Sequence, residues 1–267
     1  MKTLSEITAS NRAAWDASAP AHEETDMWKE MLKQAASPGF SVLDETLSEA
    51  VRSVAPRGKR VVQVGCNNGR DLLSLGAFGA VPVLGIDQSA AFLDQARKLA
   101  LAAGSECDFL CADVYDLPAD TPTGFDLGLI TIGVLNWMPD LPRFFEVVAG
   151  LLAPQARLVI YETHPVLEMF DPEADDPFRP ARSYFDKSPV IFEEAITYDG
   201  SEGGEAPASY WFTHTLGAVV TACASAGFVI ERLTEYPHSN REVDYDIYQG
   251  RDPQIPMCFT LVARKRG

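Results

Sequence analysis

A tight glycine-bounded turn and an acidic residue beyond it carry the most specific chemistry in the sequence. Residues 61–69 read Val-Val-Gln-Val-Gly-Cys-Asn-Asn-Gly and run directly into a helical pattern. Small residues at such a turn let backbone N–H groups approach a ligand, and a helix N-terminus favours a negative group. Asp87 follows at the end of the next predicted strand, where a carboxylate can accept both hydroxyls of a ribose. The pattern therefore indicates a nucleotide or nucleoside site.

Two ligands compete for this site: a nicotinamide dinucleotide and S-adenosylmethionine. The dinucleotide fingerprint is Gly-x-Gly-x-x-Gly, but the third position here is Asn67 and the sixth is Arg70. A bulky arginine where the last glycine allows close packing of helix on strand disfavours the dinucleotide. A Tyr-x-x-x-Lys pair, which would favour an oxidoreductase, is also missing from the sequence.

The elements that must position these residues alternate along the chain between positions 59 and 162. Short β-branched runs predict strands at 60–64, 81–86, 107–111, 125–131 and 157–161. Amphipathic runs between them predict helices, two of them capped by Ser89 and Asp140. Strands that are apolar throughout and alternate with helices imply a parallel sheet covered on both faces. Two late strands are predicted at 228–235 and 257–264.

With these motifs in place, the sequence resembles the class I S-adenosylmethionine-dependent methyltransferases. Besides the first loop and Asp87, the resemblance rests on residues 111–114 (Cys-Ala-Asp-Val), 125–140 and 151–154 (Leu-Leu-Ala-Pro). It implies an α/β Rossmann-like fold with a seven-stranded, mostly parallel sheet in the order 3-2-1-4-5-7-6. It also implies S-adenosyl-L-methionine as cofactor, bound by Gly65, Cys66, Asn67, Gly69, Asp87, Gln88, Ala112, Asp113, Val114, Thr131, Ile132 and Gly133.

Within this resemblance the first loop lies under the methionine and ribose, and Asp87 holds the ribose hydroxyls. Asp113 binds the adenine amino group, and residues 131–133 line the sulfonium. The sequence departs from the family at two turns. Asn67 replaces a usual glycine, and 154–156 read Pro-Gln-Ala instead of Pro-Gly-Gly. Asparagine adopts left-handed backbone conformations more readily than other non-glycine residues, so the first turn can be kept.

The sequence gives weaker signals for the chemical step. A base is needed only if the attacking atom carries a proton. The catalytic candidates are His164, directly after the fifth strand, and His214, at the start of a helix. Several aromatic residues could wall an apolar pocket, although such residues more often belong to the core; they are Trp15, Trp28, Trp137, Tyr184 and Trp211. The acidic run 168–176 is predicted to be a solvated rim, and no metal site is expected.

Residues 1–55 are expected to form an N-terminal helical segment, and 56–267 a methyltransferase domain. Within that domain, residues 163–215 form an acidic, proline-containing insert that is too long for a simple connection and is predicted to be a lid containing a hairpin.

The charge balance disfavours some classes of binding partner. With 22 Lys and Arg against 38 Asp and Glu, the net charge of −16 disfavours nucleic acid and anionic membranes. The five dispersed cysteines and the N-terminus without an apolar segment predict a reduced, cytoplasmic protein. The expected partner is a small-molecule substrate. A nicotinamide-dependent oxidoreductase and a non-catalytic nucleotide-binding module remain alternatives, and the sequence does not indicate an oligomeric state.

Overall fold

A seven-stranded sheet forms the centre of the computed structural model, which describes residues 2–197 and 204–267. The strands of the described chain are β1 (Arg60–Val64), β2 (Val81–Asp87), β3 (Asp108–Cys111), β4 (Phe125–Thr131), β5 (Leu152–Thr163), β6 (Val190–Glu194), β7 (Glu205–Trp211), β8 (Phe228–Tyr236) and β9 (Cys258–Lys265). The large sheet has the order β3-β2-β1-β4-β5-β9-β8, with β9 antiparallel to both of its neighbours. Because β6 and β7 form a separate pair, this order is the predicted one with the last two strands renumbered, and the predicted fold is confirmed.

Helices lie between the strands and in the N-terminal segment. They are α1 (Leu4–Glu24), α2 (Asp26–Ala35), α3 (Glu45–Ser53), α4 (Arg70–Ser74), α5 (Ala90–Ala102), α6 (Leu141–Leu151) and α7 (Leu216–Ser225). The two predicted caps are present. The Ser89 hydroxyl accepts the Phe92 N–H at 3.2 Å, and the Asp140 carboxylate accepts the Arg143 N–H at 3.1 Å. Each cap satisfies a backbone donor that has no partner within the helix.

The apolar core lies on both faces of the sheet. One cluster contains Val62, Ile130 and Phe144, and the other contains Val61, Leu129 and Tyr161, all of them buried. Adjacent residues of β1 and of β4 therefore face opposite clusters. This explains why successive residues of these strands, such as Val61 and Val62 or Leu129 and Ile130, are apolar. No helix of the described residues is long and apolar enough to cross a membrane.

The hairpin β6–β7 packs on α1. The side-chain amide of Asn11, fully buried in α1, donates to the Tyr210 carbonyl at 3.1 Å and accepts the Tyr210 N–H at 2.7 Å. Asn11 thus replaces a neighbouring strand at that position of β7. The predicted hairpin is present, although residue 198 of its first predicted strand and residues 199–203 of its predicted turn lie outside the described residues. The division of the chain at residue 55 stays a prediction.

Both departures from the family pattern adopt the backbone conformation that glycine would adopt. Asn67 has φ +50° and Gln155 has φ +67°, in the left-handed region. Asparagine is among the residues that tolerate this region best. Gln155 lies within β5, where pairing with β4 shifts register between Phe125 and Leu127. The left-handed conformation is therefore kept at both positions despite the substitutions.

Candidate functional site

A cleft lies at the carboxyl ends of β1, β2, β3 and β4, where ligands of open α/β sheets bind. Nine of the twelve predicted cofactor residues line it, together with residues of α1, the hairpin and the loop after β4. The nine are Gly65, Asn67, Asp87, Gln88, Ala112, Asp113, Val114, Ile132 and Gly133. The strand ends thus bring together residues that are up to 68 positions apart in the sequence, from Gly65 to Gly133.

The other three predicted residues are not on the wall of the cleft. The Cys66 side chain is buried against Leu93, Ala96 and Phe109, and burial raises the pKa of its thiol, so it offers no thiolate. Gly69 caps α4 with φ +73°. The hydroxyl of Thr131 is buried and accepts a hydrogen bond from the Gln63 amide at 2.9 Å. These three residues do not line the cleft, and their part in binding the cofactor stays a prediction.

Gly65 is required for the close approach of two loops at the cleft. It has φ +68°, and a Cβ at this position would lie 2.6 Å from Cγ2 of Val134, in the loop after β4. Any larger residue would push these two loops apart and strain the backbone. The glycine therefore keeps the backbone of the first loop exposed to the cleft.

The Asp87 carboxylate is oriented by two backbone donors. Oδ2 accepts the Asn67 N–H at 2.8 Å, and Oδ1 accepts the Ser89 N–H at 2.9 Å. Each oxygen keeps a further lone pair, so the carboxylate can accept two more hydrogen bonds from the cleft. Burial raises the pKa of Asp87, although these N–H groups oppose the shift by stabilising the ionised form.

Asp113 connects the cleft to the N-terminal helix. Oδ1 accepts the Tyr115 N–H at 2.9 Å, and Oδ2 accepts the Thr8 hydroxyl at 2.5 Å. On the same helix, Asp16 accepts the hydroxyl of Ser89 at 2.7 Å. Helix α1 is therefore hydrogen-bonded to the turn that contains Asp87 and to the turn that contains Asp113. The sequence pattern of the sheet did not indicate these contacts.

Three tryptophans from distant segments form an aromatic wall of the cleft. Trp137 contacts Trp15 edge to face with ring centroids 5.4 Å apart, and Trp211 with centroids 4.9 Å apart. The indole N–H of Trp211 donates to Oε2 of Glu168 at 2.8 Å. The sequence predicted these three as possible wall residues. Trp28 lines a neighbouring cavity, and the Tyr184 hydroxyl accepts the Leu216 N–H at 2.9 Å.

A buried carboxylate fixes the loop after β4. Glu162, 1% exposed, accepts the N–H of Gly133 at 2.5 Å and that of Leu135 at 3.0 Å. Burial raises the pKa of Glu162 to about 8, and the two N–H groups oppose this shift. In the sequence Glu162 follows an apolar strand. Its charge at that position was the one signal that could have identified it as a residue of the site.

Neither candidate base reaches the cleft. His164 is buried; its Nε2–H donates to Glu235 at 2.8 Å, and its Nδ1 accepts the Val166 N–H at 3.2 Å. His214 donates from Nε2 to the Met138 carbonyl at 2.8 Å. Burial lowers the pKa of both imidazoles. The structure thus gives no support to a base role: the ring nitrogens of His164 are both engaged, and neither side chain lines the cleft.

Two acidic residues have surroundings that the sequence did not reveal. Glu168, the first residue of the run predicted as a solvated rim, is 7% exposed and lies under Trp211; that part of the prediction was wrong. Glu242 lines the cleft although it follows β8 by six positions in the sequence. A lone glutamate in a polar connection gives no sequence signal for such a position.

Comparison with known proteins agrees with this geometry. Residues 61–155 match a family described as a methyltransferase domain. The ubiquinone biosynthesis O-methyltransferase of Neisseria meningitidis is 32% identical over 108 residues, which are 40% of this chain and 44% of that protein. The chain spans less than half the length of the curated relatives it matches.

Solved structures share the fold over a larger part of the chain. An S-adenosylmethionine-dependent methyltransferase from Mesorhizobium loti has TM-score 0.60 and 24% identity, covering 81% of this chain and 96% of its own. The 1,6-didemethyltoxoflavin N1-methyltransferase of Burkholderia thailandensis was solved with bound 1,6-didemethyltoxoflavin and S-adenosylhomocysteine. It has TM-score 0.58 and 18% identity, covering 100% of this chain and 92% of its own. Residues 61–155 are thus similar to methyltransferase domains, and the chain shares the fold of S-adenosylmethionine-dependent methyltransferases.

Proposed function

We propose that this protein transfers a methyl group from S-adenosylmethionine to a small-molecule acceptor. The observation that carries the proposal is the cleft itself. Two oriented carboxylates, Asp87 and Asp113, and the backbone at Gly65 meet there at the carboxyl ends of neighbouring strands. The methyltransferase domain match supports this donor, and nothing in the comparisons supports the nicotinamide alternative.

The residues present fit the donor. Asp87 has free lone pairs for the ribose hydroxyls, and Val114 and Ile86 offer apolar contacts beside Asp113 for the adenine. The close-packed bend at Gly65 would hold the methionine part. When bound, the donor supplies an electrophilic methyl group on a sulfonium. The chain contributes alignment, which can account for about 7–11 kcal/mol of a displacement barrier.

The covering of the cleft and the net charge of the protein support a small-molecule acceptor. Helix α1 and the hairpin cover the cleft, contributing Trp15 and Trp211 to its wall. The net charge of −16 disfavours a nucleic-acid substrate and a negatively charged membrane surface. We also infer a cytoplasmic location from the dispersed, unpaired cysteines of the sequence.

Incubation with isotope-labelled donor and a fractionated metabolite extract tests the activity. We expect a small-molecule product that carries the labelled methyl group. Label found only in protein or RNA would contradict the small-molecule acceptor. Hydride exchange with nicotinamide dinucleotide, without transfer of label, would contradict the proposal as a whole.

Replacing Asp87 with alanine should weaken donor binding at least tenfold, or about 1.4 kcal/mol, because a pair of charge-assisted hydrogen bonds is lost. The check is a calorimetric titration with S-adenosylhomocysteine. Asp94→Ala is the matched control, because Asp94 is an exposed carboxylate on α5 paired with Arg97. An unchanged dissociation constant for Asp87→Ala would remove Asp87 from the site.

Replacing Thr8 with valine should weaken the same binding about threefold to fivefold. Valine keeps the shape of threonine but removes the hydroxyl that donates to Asp113, a contact worth about 1 kcal/mol. Ser5→Ala, on the exposed side of α1, serves as the control. If both variants bind the ligand like the wild type, the hydrogen bond between Thr8 and Asp113 does not contribute to donor binding.

A further inference from the structure

The charged side chains that line the cleft are all acidic. Among the described residues of its wall they are Asp87, Asp113 and Glu242, and that wall contains no lysine, arginine or histidine. Asp87 and Asp113 each accept two hydrogen bonds from the protein. In residues 2–197 and 204–267, no hydrogen bond reaches the carboxylate of Glu242. Because the proposed function assigns Asp87 and Asp113 to the donor, Glu242 is the acid of this wall that is left for an acceptor.

Glu242 lies where the cleft meets a second cavity. The second cavity is lined by Met27 and Met31 of α2, by Arg70, and by the segment 241–244. It shares Glu242 and Thr197 with the cleft, whereas Asp87 and Asp113 line the cleft and not the second cavity. Glu242 thus lies on the wall that the two cavities share, and in the second cavity it does not adjoin the residues assigned to adenosine.

The residue before Glu242 has an unusual backbone conformation that ion pairs hold in place. The preceding residue, Arg241, has φ +81°, a conformation that a non-glycine residue keeps only when its surroundings impose it. Its guanidinium is held by Asp71, at 3.2 and 3.3 Å, and by Asp44 at 3.3 Å. The two acidic partners of Arg241 therefore hold the backbone at the position next to Glu242.

The aromatic wall, like the carboxylate of Glu242, favours a cationic ligand. Trp137 stands at 71° to Trp15 and at 87° to Trp211, so the three indoles present differently oriented faces and edges to the cleft. Tryptophan faces attract organic cations more strongly than other aromatic side chains do. Burial raises the pKa of Glu242, which Arg70 and Arg241 oppose and Asp244 adds to, so the carboxylate is more basic than usual.

We propose, resting on the proposed function, that the methyl acceptor is an organic amine bound as its ammonium cation between Glu242 and the tryptophans. A phenolate or carboxylate acceptor would place a negative charge among acids, in a cleft whose described lining contains no lysine, arginine or histidine. The ammonium proton passes to the Glu242 carboxylate, and the freed nitrogen lone pair forms the bond to the methyl carbon. The carbon–sulfur bond breaks with its electron pair on sulfur, and the product leaves as an N-methylammonium cation.

The test compares three probes of similar size on protein loaded with S-adenosylhomocysteine: 2-phenylethylamine, 2-phenylethanol and 3-phenylpropionate. Binding is followed at pH 7 by quenching of tryptophan fluorescence. We expect the cation to bind at least tenfold more tightly than the other two. Equal or tighter binding of the alcohol or the anion, or no saturable binding of any probe, would overturn the amine assignment.

The variant Glu242→Gln should lose at least tenfold in affinity for 2-phenylethylamine and little for 2-phenylethanol. Asp246 is an exposed acid of the short 3-10 helix Val243–Tyr248, which directly follows Glu242, and Asp246→Asn should bind all three probes like the wild type. Equal affinities of Glu242→Gln and the wild type for the amine would also overturn the proposal. If Glu242→Gln does not fold, the relative affinities of the wild type for the three probes test the amine assignment on their own.

The proposed function and this inference fail in different ways. Calorimetry with S-adenosylhomocysteine is carried out first on the wild type and on Glu242→Gln. Absence of donor-product binding to the wild type would contradict the proposed function. Normal binding to both proteins, followed by failure of the amine probe, would contradict the acceptor assignment alone.

Discussion

Replacing Arg241 with alanine is expected to lower the free energy of unfolding by about 3 kcal/mol, since the variant leaves Asp71 buried without its main cation. The Asp71 side chain is 8% exposed, and Arg241 contacts both of its oxygens. For a chain of this size the midpoint of thermal unfolding should fall by roughly 6–12 °C. Differential scanning calorimetry measures it.

The pH dependence of this effect follows from the pKa of Asp71. Burial acts to raise this pKa, but Arg241 and Arg70 outweigh burial, and the pKa lies below its ordinary value. A lowered carboxyl pKa stabilises the folded state above the unfolded pKa of about 3.9, and this stabilisation is lost as pH falls through the folded value. The difference between variant and wild type should therefore be full at pH 7 and shrink below about pH 4.

Arg52→Ala is the matched control, because the Arg52–Glu45 pair is exposed and should contribute less than about 1 kcal/mol. Arg241→Lys keeps the charge and should lie between wild type and alanine, since lysine cannot contact both oxygens in the same geometry. An Arg241→Ala protein as stable as Arg52→Ala would show that Asp71 does not depend on this partner.

Replacing Glu162 with alanine is expected to cost roughly 2–4 kcal/mol of stability. Two backbone N–H groups, of Gly133 and Leu135, would lose their acceptor in the interior, and each unsatisfied group costs about 1–3 kcal/mol. The loop after β4 forms part of the cleft, so binding of S-adenosylhomocysteine should weaken as well. Thermal unfolding and calorimetric titration of the same preparation measure the two effects.

Because the pKa of Glu162 is raised to about 8, the folded protein binds more protons than the unfolded chain between about pH 4.5 and pH 8. Its contribution to the free energy of unfolding therefore falls as pH rises through this interval, and Glu162→Ala should lack that component. Glu194→Ala, an exposed carboxylate of β6, is the control. A Glu162→Ala protein with the stability and donor affinity of this control would contradict the assigned positioning role.

The part of the site built from local sequence signals could be predicted. The strand ends, the turn at Gly65 and the cap at Ser89 follow from residues within a few positions of each other, so their placement in the cleft needs only the rules for parallel sheets. The strand order came from the resemblance. Asn67 kept the left-handed turn because its own conformational preference allows it.

The part built from long-range contacts could not be predicted. Thr8 and Asp113 are 105 positions apart, and nothing in either segment indicates the other. His164 has the expected place at the end of β5, but it turns towards Glu235 of β8 and away from the cleft. Arg241, the neighbour of Glu242, pairs with Asp44 and Asp71, which are more than 150 positions away in the sequence. Such placements depend on tertiary packing that periodicity does not encode.

Adding S-adenosylmethionine to purified protein freed of bound ligand is the most direct test of the account, with the heat recorded in a calorimeter. The account predicts a saturable signal at one molecule per chain, which is weakened in Asp87→Ala and retained in Asp94→Ala. A flat titration with folded wild-type protein would mean that this cleft does not hold the methyl donor.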